Sequence, residues 1–243
     1  MFPSPREFGS DVSEPSTLPK MTQAPIGWIF DMDGTLADNM IYHARAWIAL
    51  FEDQDLEVSM EAFMPTAGMK SPEVVRHFMG DLSDDIVNEL CGQKDVLYRF
   101  LYRHRIRPMP GLLKLLAAAR RQGVRLAVAT ASGPRGLAMM REGLRLDDRF
   151  DAIAGGAEVA RGKPFPDVFL LAGERLGVPP ARCIVFEDAE LGVEAAARAG
   201  MPVIGVASTG VDPDRLAALP AVRRVITDFR GLTVADVNQF LPH

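Results

Sequence analysis

Ile26-Gly27-Trp28-Ile29-Phe30-Asp31-Met32-Asp33-Gly34-Thr35-Leu36 decides the fold. An apolar run of strand length ends abruptly in two aspartates spaced i and i+2, followed by a Gly-Thr turn. Side chains alternate faces along a strand, so acids at that spacing point the same way only while the chain stays extended. At the carboxyl end of a buried strand they project into the crevice where open α/β sheets place their ligands. Two carboxylates forced together require a cation between them or a retained proton. Hard oxygen donors favour Mg²⁺. The plain alternative is a strand that runs into a polar Asx turn.

The 243 residues are 48% hydrophobic and 24% charged, an ordinary globular composition with enough chain for a sizeable core. A formal net charge of -5 leaves no electrostatic footprint for nucleic acid. Arg103, Arg105 and Arg107 cluster locally and read as a solvated helix face. Cys91 and Cys183 are too few for a disulfide scaffold or a zinc site. No apolar run reaches the ~18 residues of a membrane span, and no secretory signal opens the chain. The expectation is a cytoplasmic protein with neither a membrane nor a nucleic-acid partner.

Residues 1–24, rich in Pro, Ser and Glu, read as a disordered leader. Residues 38–52 are helical in pattern, with Ile41, Ala44, Ile48 and Phe51 as an apolar stripe and Asn39, His43 and Trp47 along its flank. From 53 to 107 short helical pieces are punctuated by Pro65, Gly68, Pro72 and Gly80. A longer helix follows with Ile86, Leu90, Leu97 and Leu101 on one face and Gly92 as its weak point. Beyond Pro108 strands and helices alternate, with strands at 124–130, 150–154, 182–186, 202–206 and 222–226. Leu112, Leu115, Leu116 and Ala119 mark the buried face of the helix that opens this part. The pattern predicts an α/β fold, a doubly wound, mostly parallel, Rossmann-like sheet formed by residues 25–37 and 108–243. Residues 38–107 form an inserted, all-helical cap.

In a parallel sheet the strand ends converge on one edge. Here they carry Asp31 and Asp33, then Thr130-Ala131-Ser132, then Lys163 before the next helix, then Glu187-Asp188. That collects acids for a metal with a hydroxyl and a lysine for an anion. Taken singly, Thr130 suits a helix cap, Lys163 a solvated surface and Glu187-Asp188 a helix start.

These four stretches, with Gly162-Lys163-Pro164 and Phe186-Glu187-Asp188-Ala189, resemble the motifs of the haloacid dehalogenase superfamily from residue 25 onward. The resemblance implies Asp31 as nucleophile and Asp33 as acid and base. It implies Mg²⁺ held by Asp31, the Asp33 carbonyl, Asp188 and, through water, Glu187. Thr130, Ala131 and Lys163 would bind phosphate, and Asn39, His43 and Lys70 would meet the substrate from the cap. The implied activity is hydrolysis of a small phosphorylated metabolite, a sugar or polyol phosphate, by a monomer or weak homodimer. A phosphoglucomutase-type transfer is the alternative, weakened because Ala67 and Ser71 stand where such members carry a basic pair. Lys70 invites a phosphonatase reading, which Asp33 opposes. A receiver-like phospho-switch is opposed by Asp33 and by the helical insertion.

Overall fold

The computed structural model describes residues 24–242. The expected leader, apart from Ala24, lies outside the described residues. The first strand, β1 (Gly27–Phe30), is followed by α1 (Met40–Asp53), α2 (Met60–Phe63), α3 (Ser71–Met79) and α4 (Asp84–Tyr102). After α5 (Leu112–Arg121) come β2 (Arg125–Thr130), α6 (Pro134–Gly143), α7 (Leu146–Arg149), β3 (Ala152–Gly155) and α8 (Asp167–Leu176). The chain continues through β4 (Cys183–Glu187), α9 (Glu190–Arg198), β5 (Val203–Val206), α10 (Pro213–Ala217), β6 (Val222–Ile226) and α11 (Val234–Asn238).

The six strands lie in the order β3-β2-β1-β4-β5-β6, all parallel. The order reverses at β1, whose neighbours are β2 and β4, so the topological switch point falls where Asp31 emerges. Alternation along β1 divides its side chains between two cores. Trp28 and Phe30 pack with Leu126, Phe186, α5 and α11 on one face. Ile29 packs with Ala127, Val185, Phe169 of α8 and Val193 of α9 on the other. Phe30 and Phe186 stack at 4.2 Å between ring centroids across the β1–β4 pair, which holds the two site-bearing strand ends in one register.

The helical cap has its own core, including Ala44, Trp47, Phe51, Val74, Val87 and Leu90. Two of its helices, α2 and α4, start on Ser59 and Ser83, whose side chains accept from Ala62 N and Ile86 N. Two local expectations are corrected here. The supposed flank of α1, Asn39, His43 and Trp47, is buried, while Ile41 and Ile48 are only partly so. In α4 the buried face is Val87, Leu90, Lys94, Tyr98 and Tyr102, and Ile86 is 47% exposed. The helix runs unbroken through Gly92, because packing against α1 and α3 outweighs the small local propensity cost of one glycine.

Candidate active site

Asp31 prolongs the sheet by one ladder bond, its N–H donating to Phe186 O at 2.9 Å. The chain then leaves the extended path: Leu36 N donates back to Met32 O, and Gly34 adopts φ +85°. Asp31 and Asp33 therefore do not share a set of partners, as unbroken strand alternation would have required. Asp31 meets Lys163 Nζ at 2.6 Å, and the same ammonium reaches Glu187 at 2.7 Å. Asp33 accepts from Asn39 Nδ2 at 2.6 Å and from the Ser132 hydroxyl.

Asp31, Glu187 and Asp188 form one buried acidic cluster, each offering an oxygen within 4.8 Å of the others. Burial, then the charge of Glu187, holds both Asp31 and Asp188 well above the usual carboxylate range. Lys163 pulls the other way on both. Burial alone would lower Lys163, but Asp31 and Glu187 outweigh it and hold the ammonium above its ordinary range. One ammonium shared among three buried acids leaves excess negative charge. Three hard oxygen donors with that excess fit a Mg²⁺ ion. The Asp33 carboxylate stands outside the cluster.

Glycines make the cluster possible at two points. A Cβ on Gly34 would lie 2.0 Å from Asp188 Oδ2, and one on Gly192 would lie 2.1 Å from Glu187 Cδ. Thr35, fully buried, donates to Asp188 Oδ1 at 3.2 Å. Glu187 Oε1 accepts from Ala189 N at 3.1 Å.

A small central cavity of about 60 Å³ lies between this cluster and the cap. Asp31, Asp33, Thr130, Ala131, Glu187 and Asp188 line it from below, and His43, Trp47 and Lys94 from the cap. Thr130 directs its Oγ1 to accept from Ser132 N at 3.0 Å. Of the three cap residues expected at the substrate, only His43 lines the cavity. Asn39 is fully buried, accepting from Gly34 N and donating to Asp33 and Tyr98. Lys70 extends to the core loop instead, donating to Val159 O at 2.6 Å and Ala160 O at 3.2 Å.

The residue that sequence reasoning passed over is Lys94, only 3% exposed. Its Nζ lies 3.0 Å from His43 Nδ1 and 5.1 Å above the Trp47 ring. With Lys94 as the donor, His43 Nδ1 accepts and the ring proton sits on Nε2. That Nε2 faces Asp33 Oδ1 at 3.3 Å. Burial, then Lys94, lowers the His43 pKa, against the pull of Asp33. Burial would raise Asp33, but His43, Ser132 and Asn39 together outweigh it and hold the acid below its ordinary range. The signal was a lysine at helical spacing between Leu90 and Tyr98, on the face that α4 buries.

The model of the haloacid dehalogenase-like hydrolases matches residues 28–200. Fructose-1-phosphate phosphatase YqaB of Escherichia coli is 32% identical over 183 residues, 74% of this chain and 95% of that protein. β-Phosphoglucomutase of Bacillus subtilis is 32% identical over 187 residues, 73% of this chain and 81% of that protein. Among solved structures, CbbY from Rhodobacter sphaeroides in complex with phosphate superposes with a TM-score of 0.75. It is 28% identical, and the match covers 88% of this chain and 99% of that one. The parallel sheet with its inserted helical cap, the acids at the switch point and these matches together make the chain a member of the haloacid dehalogenase-like hydrolases.

Proposed function

We propose that this enzyme is a Mg²⁺-dependent phosphatase that hydrolyses a small sugar or polyol monophosphate through an aspartyl-phosphate on Asp31. The observation that carries the reading is the separation of the two aspartates: Asp31 stands with Lys163 and the acidic cluster, Asp33 with the cap-side donors.

Asp31, Glu187 and Asp188 would hold the ion, with the Asp33 carbonyl as a further donor. When bound, it supplies positive charge that lets an anionic carboxylate and an anionic phosphate approach. A carboxylate oxygen of Asp31 attacks phosphorus, the bond to the leaving oxygen breaks, and that oxygen takes a proton from Asp33. Lys163 and the Thr130 hydroxyl, with the backbone N–H of Ala131, stabilise the transferring oxygens. In the second half Asp33, now ionised, takes a proton from water as the water oxygen bonds to phosphorus and the Asp31 oxygen–phosphorus bond breaks, releasing inorganic phosphate and returning Asp31 as a carboxylate. The depressed pKa of Asp33 suits this second half, where an ionised carboxylate acts as base; the first half needs Asp33 protonated, which the anionic phosphate brought beside it favours. That favours turnover over a long-lived phospho-switch.

Phosphatase is favoured over mutase by the cap's contribution to the cavity. Among the described residues its sole ammonium there, Lys94, is engaged with His43, while Ala67 and Ser71 offer no charge for a second phosphate. The test is inorganic phosphate release over a panel of phosphorylated metabolites, run beside hexose-phosphate isomerisation, with Asp31→Asn as control. Rapid phosphate release that Asp31→Asn abolishes supports the proposal. Isomerisation without release, or a phosphoenzyme lasting minutes, overturns it.

A further inference from the structure

A cleft of about 710 Å³ opens between cap and core, where α4 faces the loop that joins β2 to α6. Its size is that of a small-molecule site, which typically spans roughly 300–1,000 Å³. Asn88, Cys91 and Asp95, one stripe of α4, form the cap wall, and Ala131, Gly133 and Arg135 stand on the core wall. Ser71 and Ala131 also line the central cavity, so two small side chains separate the two spaces. One helix serves both: Lys94 faces the cavity and Asp95, its neighbour in the chain, faces the cleft.

The phosphatase reading, on which this inference rests, decides which way the leaving group points. Asp33 protonates the leaving oxygen, so the organic part extends from the Asp33 side of the cavity. Ser132, whose hydroxyl donates to Asp33, stands between Ala131 and Gly133 of the cleft wall. Another opening, about 330 Å³, meets the cavity at Ala67, Asp188 and Ala189, on the side of the acidic cluster. Neither Asp33 nor Ser132 lines it. The α4 cleft is therefore where the organic part goes.

Within that cleft one group stands apart. Asp95 is half-buried, and its carboxylate has no hydrogen bond and no ion pair. Among the described residues, every other Asp or Glu that is buried or half-buried has at least one. A Cβ built on Gly133 would lie 4.0 Å from Asp95 Oδ2 with nothing else within that distance, so the space in front of the carboxylate is open. A carboxylate drawn part-way out of water is costly without a donor, and it can only accept. The formal charges of the cleft cancel, Lys70 and Arg135 against Glu89 and Asp95. Lys70 is already held by the Val159 and Ala160 carbonyls.

We infer that Asp95 is a specificity-determining residue: its carboxylate receives hydroxyl groups of an uncharged, polyhydroxylated leaving group seated in the α4 cleft, and it turns away substrates that carry a second phosphate. Hydroxyl groups supply the donors that the fold withholds from Asp95, and a carboxylate takes two of them at once. A phosphate in the same place offers acceptors and negative charge to an acceptor that is itself negative. The enzyme thus selects a polyol monophosphate over a bisphosphate of the same length.

The test is isothermal titration of the full-length chain carrying Asp31→Asn, with Mg²⁺ present, so that ligands are bound rather than hydrolysed. The probes are sorbitol 6-phosphate, fructose 1,6-bisphosphate and inorganic phosphate. Expected is tighter binding of the polyol monophosphate than of the other two. Adding Asp95→Asn should weaken the polyol monophosphate about tenfold or more and inorganic phosphate far less. Adding Asp95→Lys should reverse the preference in favour of the bisphosphate. Gly133→Leu, which fills the cleft without touching Asp95, should likewise weaken the polyol monophosphate more than inorganic phosphate. An unchanged preference in both Asp95 variants overturns the inference. So does an equal loss for all three probes, the mark of a disturbed α4, or a polyol monophosphate that binds no better than inorganic phosphate. Phosphate release from p-nitrophenyl phosphate by the wild type reports the phosphatase reading separately, so the failure of one is distinguished from the failure of the other.

Discussion

Lys94 Nζ lies 3.0 Å from Nδ1 of His43, and both residues are buried. An ammonium on one ring nitrogen fixes the proton on the other, so a cap lysine sets the face that His43 turns toward Asp33, 3.3 Å away. Tyr98 closes the arrangement, its ring stacked on His43 with centroids 3.8 Å apart.

Replacing Lys94 by Met should therefore act on Asp33 through His43. We expect kcat to fall about 100-fold, the low end for loss of oriented acid–base help, with a smaller change in KM. The His43 pKa, lowered by burial and then by Lys94, should rise toward its ordinary 6.5. Imidazole NMR titration checks the second point and steady-state kinetics the first. An unmoved His43 titration would show that the contact does not control the ring.

The acidic cluster makes a prediction about stability and pH. Asp188 is raised above 3.8 in the fold by burial, Glu187 and Asp31. A carboxylate raised on folding favours the native state below its unfolded pKa, and that contribution is lost as pH rises through the folded value. Metal-free protein thus carries a penalty at neutral pH, which Asp188→Asn removes. Without divalent ions the variant should be more stable than wild type at pH 7.5 by roughly 1–3 kcal/mol. The advantage should fade as pH falls toward the ordinary carboxylate value of 3.8. Added Mg²⁺ should raise the melting temperature of wild type far more than that of the variant. Thermal melts across pH, with and without Mg²⁺, decide it.

Two glycines separate backbone strain from crowding at the site. Gly200 has φ +75° with open space around it, so Gly200→Ala should cost about 1–2 kcal/mol and leave turnover intact. Gly34 has φ +85°, and an added Cβ would strike the Asp188 carboxylate. Gly34→Ala should carry the same backbone cost and also weaken Mg²⁺ binding at least about tenfold, since Asp188 must move. Calorimetric Mg²⁺ titration of both variants tests this; equal affinities would refute the crowding argument.

Lys70 bridges cap and core through two backbone carbonyls, and the cavity beneath is too small to admit a sugar phosphate without cap movement. Lys70→Met should loosen closure, lowering kcat/KM by about threefold to tenfold. Amide exchange over residues 157–163 should quicken while the melting temperature changes little. No imine should be trapped by borohydride with an aldehyde substrate, because the amine is held outside the cavity. Trapping at Lys70 would contradict that placement.

The architecture was legible because it rests on local periodicity. The buried stripe of α5, the strand ladder after residue 124 and the acids that close β1 and β4 follow from patterns a few residues long. The cap was harder to read. On α4, charged and aromatic residues interrupt the apolar face, so the expected stripe ran through Ile86, Leu90, Leu97 and Leu101, of which only Leu90 lies on the face that buries Lys94 and Tyr98. Packing against α1 and α3 in the cap, and against α6 of the core, determines which face is buried. Lys70 and Asn39 show the same limit, since their partners are Val159, Ala160, Asp33 and Tyr98.

By itself the sequence determined the parallel α/β sheet and the residue types gathered at its rim, because strand alternation and βα connection rules act over short spans. The tertiary structure alone decided which acid faces which partner. The turn at Gly34 parts Asp31 from Asp33, and distant segments bring Lys163 to one and His43, Asn39 and Ser132 to the other. The field at a carboxylate depends on charges and donors within a few ångströms, and those come from wherever the chain returns.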